Sequence, residues 1–169
     1  LDRFEQLNTK IQEPKKVYFE AIHSKMKTFA PDSIAVFALE SAGGINAAAD
    51  AKSLRGTNIA AYGKEKIVAQ GPSIDVYLAQ KGPMNQATRT MICREPGFQA
   101  IKAVRNNNVH ILDEALVSRP SFRLVLGIAR IGHLLYPDVY TPEIMDDVRT
   151  LIREQYDLAP GQVVADDQP

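Results

Sequence analysis

Apolar residues recur along this chain in two rhythms, and each change of rhythm marks an element. Leu1, Phe4, Leu7 and Ile11 fall at helical spacing, so residues 1–12 are predicted to form an amphipathic helix that stops near Pro14. Residues 17–22, β-branched and aromatic, read as a strand. Asp32 or Ser33 is placed to cap the next helix, with Ile34, Phe37, Ala38 and Ser41 as its expected face. Gly43 suits the left-handed residue that closes it. After a loop, residues 63–70 read as a short helix, Gly71-Pro72 as a break and residues 74–79 as a second strand. Residues 81–85 are a loop, followed by a helix through Arg94.

Pro96 then opens a short helix over 97–104, since proline suits a first helical turn. Residues 106–108, three asparagines, make a turn before a strand over 109–112. The longest helix is expected from Pro120 to Leu135, with Leu124, Ile128, Ile131 and Leu135 on one side and Pro137 as its stop. A last helix spans 142–156, and the polar, acidic tail 161–169 is expected to be disordered. Strands alternating with helices predict an α/β fold, a three-layer α/β/α domain with a mainly parallel sheet.

Composition narrows the functional classes. A chain of 169 residues fits one domain with a terminal extension. Lys+Arg and Asp+Glu both number 20, so the basic surplus that nucleic-acid binding draws on is missing. No apolar run approaches the roughly 20 residues of a membrane-spanning helix. The single cysteine, Cys93, has no internal disulfide partner and reads as a small buried hydrophobe in a helix. Leu1 opens inside a helical pattern, as expected of a chain cut from something longer.

Few residues stand out chemically. His23 follows a strand whose carboxyl end should open at a cleft, where its imidazole could ligate a metal or bond a ligand. The competing reading is an exposed loop histidine. Glu20, on the same strand, reads as a sheet-edge or supporting carboxylate. Met26 could pack on a large ligand or anchor its loop, and Tyr62 could offer a phenol at a cleft rim or cover a core edge. Arg119, read as lying at a helix start, suits an anion; a structural ion pair is the alternative. Gly43-Gly44 is no phosphate loop, because it follows a helix instead of a strand. His110 and His133 fall inside a strand and a helix as ordinary packed histidines, and no Cys/His cluster has zinc spacing.

Several segments come in a telling order. Ala42-Gly43-Gly44-Ile45-Asn46-Ala47-Ala48 precedes Gly63-Lys64-Glu65 and then Gly71-Pro72-Ser73-Ile74-Asp75-Val76. Pro96-Gly97-Phe98-Gln99-Ala100-Ile101-Lys102-Ala103-Val104 leads into Asn107-Asn108-Val109-His110, and Ser118-Arg119-Pro120-Ser121-Phe122-Arg123 comes last. In this order, over residues 15–136, they resemble the carboxy-terminal lobe of class III substrate-binding proteins, bilobed receptors that deliver metal chelates to ABC importers. Phe98 stands where that family has tryptophan, asparagine replaces its turn glycine, and Asp75 is displaced from the family's aspartate.

The resemblance implies a non-enzymatic receptor for an iron chelate (siderophore or haem) or a related complex such as cobalamin, with no cofactor or metal of its own. It implies the end of an inter-lobe helix over 1–14, the substrate-binding lobe over 15–137, a helical extension over 138–160 and the disordered tail over 161–169. It implies ligand contacts from His23, Met26, Tyr62, Leu116 and Arg119, with Leu116 at a position that is often an apolar cleft residue. Glu65 matches the family's glutamate that docks on arginines of the permease. The implied partners are the ligand, a permease with its ATPase, and an amino-terminal lobe of the same protein, on the periplasmic or extracellular face of the membrane. Two rivals stand beside it. A tetrapyrrole metal chelatase has similar two-lobed architecture and a metal-binding His/Glu pair, which His23 and Glu20 could imitate, though three apart on one segment. The other is an α/β interaction domain without a small ligand.

Overall fold

The structure, a computed structural model, describes residues 1–157. The expected tail and the last residues of the expected extension lie outside the described residues. Helix α1, Asp2–Asn8, leads into strand β1, Lys16–Ile22. Strand β2, Lys27–Phe29, turns back antiparallel beside it, with Glu20 opposite Thr28 and Ile22 opposite Lys27. Helix α2, Ile34–Ser41, is followed by the two-residue strand β3, Ile45–Asn46, parallel to the start of β1. Strands β4, Lys52–Ser53, and β5, Ile59–Ala61, extend the antiparallel flank. Helix α3, Lys64–Gln70, precedes β6, Val76–Lys81, which lies parallel to β1. Helices α4, Arg89–Arg94, and α5, Lys102–Arg105, cross to β7, Val109–Asp113, parallel to β6. Helices α6, Glu114–Val117, α7, Arg123–Leu135, and α8, Pro142–Tyr156, complete the order.

The sheet runs β4-β5-β2-β1-β6-β7, so a parallel centre carries an antiparallel flank. Alternation along β1 divides the core. Val17, Phe19 and Ala21 join one cluster with residues of α1, α2 and α6–α8, while Tyr18 joins a second with Ile67, Ile92, Phe98 and Ala103 of the α3–α5 side. Two faces each covered by helices make a three-layer α/β/α domain with a mainly parallel central sheet, as the sequence pattern predicts.

The differences from the sequence pattern are instructive. Strands β2, β4 and β5 escape a periodicity search because each has two or three residues, too few to show alternation. Helix α1 ends at Asn8 instead of residue 12. In α2, Ala35, Val36, Ala38 and Leu39 are buried and Phe37 is exposed, so the face predicted from Ile34, Phe37, Ala38 and Ser41 is turned. Ser33 is the cap, its hydroxyl accepting the Val36 N–H, and Gly43 closes the helix at φ +80°. The helix expected over 97–104 divides at Ile101, whose extended backbone separates a 3-10 turn over Phe98–Ala100 from α5. Helix α7 begins at Arg123, three residues beyond Pro120, and α8, at 15 residues, is longer than α7 at 13.

Polar side chains fasten the amino-terminal edge of the sheet. The Tyr136 hydroxyl donates to Gly43 O and accepts from Lys15 N–H, both at 2.8 Å, while Tyr140 donates to Asn8 Oδ1 at 2.7 Å. Asp75 accepts from Lys16 N–H at 2.9 Å and from Lys102 Nζ at 2.7 Å. Burial pushes the Asp75 carboxyl up, but these two donors outweigh it and hold it below the usual range. Gly127 lets α7 reach α6, because a Cβ there would meet Leu116 O at 2.1 Å.

Candidate functional site

Parallel strands end together, so the loops that leave them share one edge of the domain. After β1 comes a 3-10 turn, His23–Lys25, closed by Met26 in the left-handed conformation at φ 47°. After β6, Gly82 and Asn85 exchange backbone hydrogen bonds at 3.0 Å in both directions and put Met84, 65% exposed, at the tip of a tight turn. After β7, α6 leads to Ser118 and Arg119. Lys27 pairs with Ile22 and Ala61, and Ala61 with Lys52, so β2, β5 and β4 contribute to the same edge.

Buried amides lock these loops to one another. Asn85 Oδ1 accepts the His23 N–H at 3.1 Å and its Nδ2 donates to Gln80 O at 2.8 Å. Gln80 Nε2 donates to Ala21 O at 3.1 Å, and its Oε1 accepts from the Ser118 hydroxyl. Side chains of Gln80 and Asn85, both about one-twentieth exposed, therefore brace three loops against movement. Sequence reasoning missed Gln80, Met84 and Asn85. Glutamine and asparagine near strand ends carry no spacing signal, and the exposed methionine is visible only once the Gly82–Asn85 turn is known.

Behind the His23 turn lies a buried polar cluster. Glu20 is fully buried, accepting from the Tyr77 hydroxyl and bonded through the same oxygen to His23 Nδ1 at 2.8 Å. Glu20 is thus an interior carboxylate of a central strand, not one at the sheet edge, and His23, 6% exposed, is not an exposed loop histidine. His23 Nε2 lies 3.8 Å from Glu95 Oε2, and the other Glu95 oxygen takes Lys64 Nζ at 2.7 Å. The Glu20 bond raises the His23 pKa above the usual imidazole value against the opposing effect of burial, with the charges of Glu20 and Glu95 adding to the rise. Burial first, then Glu20, pushes the Tyr18 and Tyr77 phenols well up, so both remain protonated. Tyr18 Oη and Glu20 Oε1 are buried without a hydrogen-bond partner.

The remaining candidates sit further out. Met26 is half-buried against the α3–α5 core, and its carbonyl accepts the Gly63 N–H at 3.1 Å. Tyr62 accepts from Gln70 at 2.7 Å and packs on Tyr18 with ring centres 5.8 Å apart; burial and Asp50 push its phenol up to about 12. Leu116 is buried in the other layer. Arg119, its side chain 72% exposed, lies four residues before α7 and 3.8 Å from Glu114, so it does not stand at a helix start. Glu65 is exposed in the first turn of α3, while its neighbours Lys64 and Lys66 are engaged by Glu95 and Asp50. His23, Met26 and Tyr62 thus cluster around one corner, with Leu116 and Arg119 after β7. His110 bonds to Asn108 and His133 to Tyr140 O, as packed histidines do. Among the described residues no group of three or more His, Cys, Asp or Glu could hold a metal ion, and no helix is long and apolar enough to cross a membrane.

In its fold this domain is similar to one lobe of periplasmic solute-binding proteins. Solved structures supply the parallel. A periplasmic solute-binding protein from Veillonella parvula matches with a TM-score of 0.72 at 20% identity, over 93% of this chain and 47% of that one. Helicobacter pylori CeuE, in a structure with Ni-His, gives 0.70 at 16% identity over 94% and 49%. The periplasmic haem-binding protein RhuT from Roseiflexus sp. RS-1 gives 0.64 at 22% identity over 83% and 52%. The chain spans about half the length of these proteins. Neither a family model nor a curated protein matches it by sequence.

Proposed function

We propose that this chain is one lobe of a solute receptor serving an ABC importer, and that it binds an iron chelate, either siderophore or haem, or a related complex such as cobalamin. The observation that carries the reading is the braced edge, where three loops after parallel strands are fixed by Gln80 and Asn85 and open to one side. The half-length match to receptors supports the further proposal that a second, amino-terminal lobe of the same protein forms the opposing wall. On this reading residues 1–14 hold the end of the inter-lobe helix, as α1, residues 15–137 form the lobe and residues 138–160 extend it.

His23, Met26, Tyr62, Leu116 and Arg119 are the proposed ligand contacts, with His23 held in place by Glu20. Cations on the rim, which also carries Asp113 and Glu114 at the end of β7, suit an anionic chelate. Among the described residues no carboxylate lies within ion-pair distance of Lys25, Lys27, Lys52 or Lys81, and Arg119 has only a 3.8 Å neighbour. Such unpaired cations attract carboxylates or propionates. Glu65 is proposed to dock on basic residues of the permease, with the pairing of Lys64 and Lys66 elsewhere leaving its charge uncompensated. Nothing in this scheme needs a covalent step, and the protein acts on the periplasmic or extracellular side.

Titration calorimetry with hemin and with a ferric hydroxamate tests the reading, on this chain and on the receptor with both lobes. Tight small-molecule sites enclose about 70–90% of the ligand surface, so this chain alone should bind weakly and the two-lobed protein tightly. Equal, tight affinity for both proteins would sink the half-site idea. Failure of the two-lobed protein to bind any iron chelate would sink the ligand class.

A further inference from the structure

The cleft loop and the helix that carries Glu65 are joined twice. The Gly63 N–H, at the cap of α3, donates to Met26 O at 3.1 Å. Glu95, the residue that ends α4, reaches both partners with one carboxylate: Lys64 Nζ of α3 at 2.7 Å and His23 Nε2 of the cleft turn at 3.8 Å. The carboxylate is about one-fifth exposed and His23 is buried, so solvent screens this contact only in part.

Several elements contribute a group to the surroundings of His23. Strand β1 supplies Glu20, and β6 supplies Tyr77, which also bonds Glu20. The turn after β6 supplies Asn85, the 3-10 turn after α4 supplies the edge-on Phe98 ring at 6.5 Å, and α3 supplies Lys64 through Glu95. Glu20 is committed to His23 and Tyr77 in the interior. Glu95 is different, since it is shared between two cations on two separate elements.

We propose that Glu95 is a positioning residue that couples the His23–Met26 loop to the start of α3, so that a change of charge at His23 alters how Glu65 is presented. When His23 is an imidazolium, Glu95 divides between it and Lys64. When the imidazole is neutral, Glu95 turns wholly to Lys64 and shifts the first turn of α3. The biological meaning rests on the receptor reading above, but the coupling itself needs neither ligand nor permease.

Nuclear magnetic resonance on the full chain tests it, following the His23 ring protons and the backbone amides while pH is raised. The Lys64 and Glu65 amides should titrate with the His23 midpoint. Glu95→Gln should lower that midpoint by roughly half a pH unit or more, and Lys64→Met, which frees Glu95 for His23, should raise it. A purely structural role would not produce opposite signs. Flat Lys64 and Glu65 amides through the His23 transition in the unmodified chain would overturn the proposal whether or not either variant folds. An unmoved His23 midpoint in both folded variants would do the same. Neither result bears on chelate binding, which the calorimetry measures separately.

Discussion

The two helical layers of this domain are built on different principles. The layer of α1, α2 and α6–α8 rests on a largely aliphatic cluster with Leu39, Ile128, Ile131 and Leu135, under helices as long as 13 and 15 residues. In the layer of α3–α5 no helix exceeds seven residues, and the rings of Tyr18, Tyr77 and Phe98 surround a buried glutamate and histidine. The first layer can be changed gradually, because apolar packing is non-directional. The second is conditional: the Glu20 charge is tolerable only while His23 and Tyr77 meet it. The loop proposed to touch the ligand is fastened to the conditional layer.

Substitutions in each layer put that contrast to the test. The largest effect is expected from Glu20→Ala, which leaves His23 and Tyr77 without their buried partner and should cost about 3–5 kcal/mol. Leu39→Ala in the aliphatic layer should cost about 2–5 kcal/mol by leaving a cavity. Urea unfolding of both variants makes the comparison, and a Glu20→Ala midpoint equal to the parent's would remove the ion pair from the stability account. Next comes Asp75→Ala at the opposite end of β6, where loss of the Lys16 and Lys102 bonds should cost about 1.5–3 kcal/mol. Because the folded Asp75 value lies below the unfolded one, its contribution is present above about pH 3.9 and disappears as pH falls through the lower folded value.

The sign reverses for His23. Its folded pKa is raised, so its contribution is complete below the unfolded value of about 6.5 and is lost as pH rises through the folded one. The stability gap between the parent and His23→Gln should therefore narrow from mildly acidic to mildly alkaline pH. A gap that widens instead would mean that His23 is buried neutral. The smallest stability effect belongs to Arg119→Ala, within about 0.5 kcal/mol for so exposed a side chain. On the proposed receptor role, the same substitution in the two-lobed protein should weaken an anionic chelate about ten- to a hundredfold, read by calorimetry. Unchanged affinity with a lowered melting temperature would make Arg119 structural.

Much of the fold is legible where elements are long or well punctuated. Residues 142–156 form the helix that their spacing and Pro142 announce, and Gly43 closes α2 as a positive-φ glycine should. Strand β7 ends one residue beyond its expected 109–112, after the turn in which Asn107 takes φ 60°. The candidate site is less legible. His23, Met26 and Tyr62 stand out singly in the sequence, and their meeting at one corner depends on β2 and β5, strands too short to have a rhythm.

Residue order alone dictates the alternation of strands and helices, their caps and breaks, and the balance of charge, because these arise from near-neighbour sterics and hydrophobic periodicity. The roles of the polar residues were settled by the assembled layers. Glu20 and His23 are three apart and could have faced water, a ligand or each other; the interior of the α3–α5 layer turned them toward each other. Gln80, Asn85 and Ser118 became one brace because parallel strands end side by side, a consequence of sheet order that no local pattern encodes. Burial and partner choice are properties of the packed domain, set by contacts between residues that sit tens of positions apart in the chain.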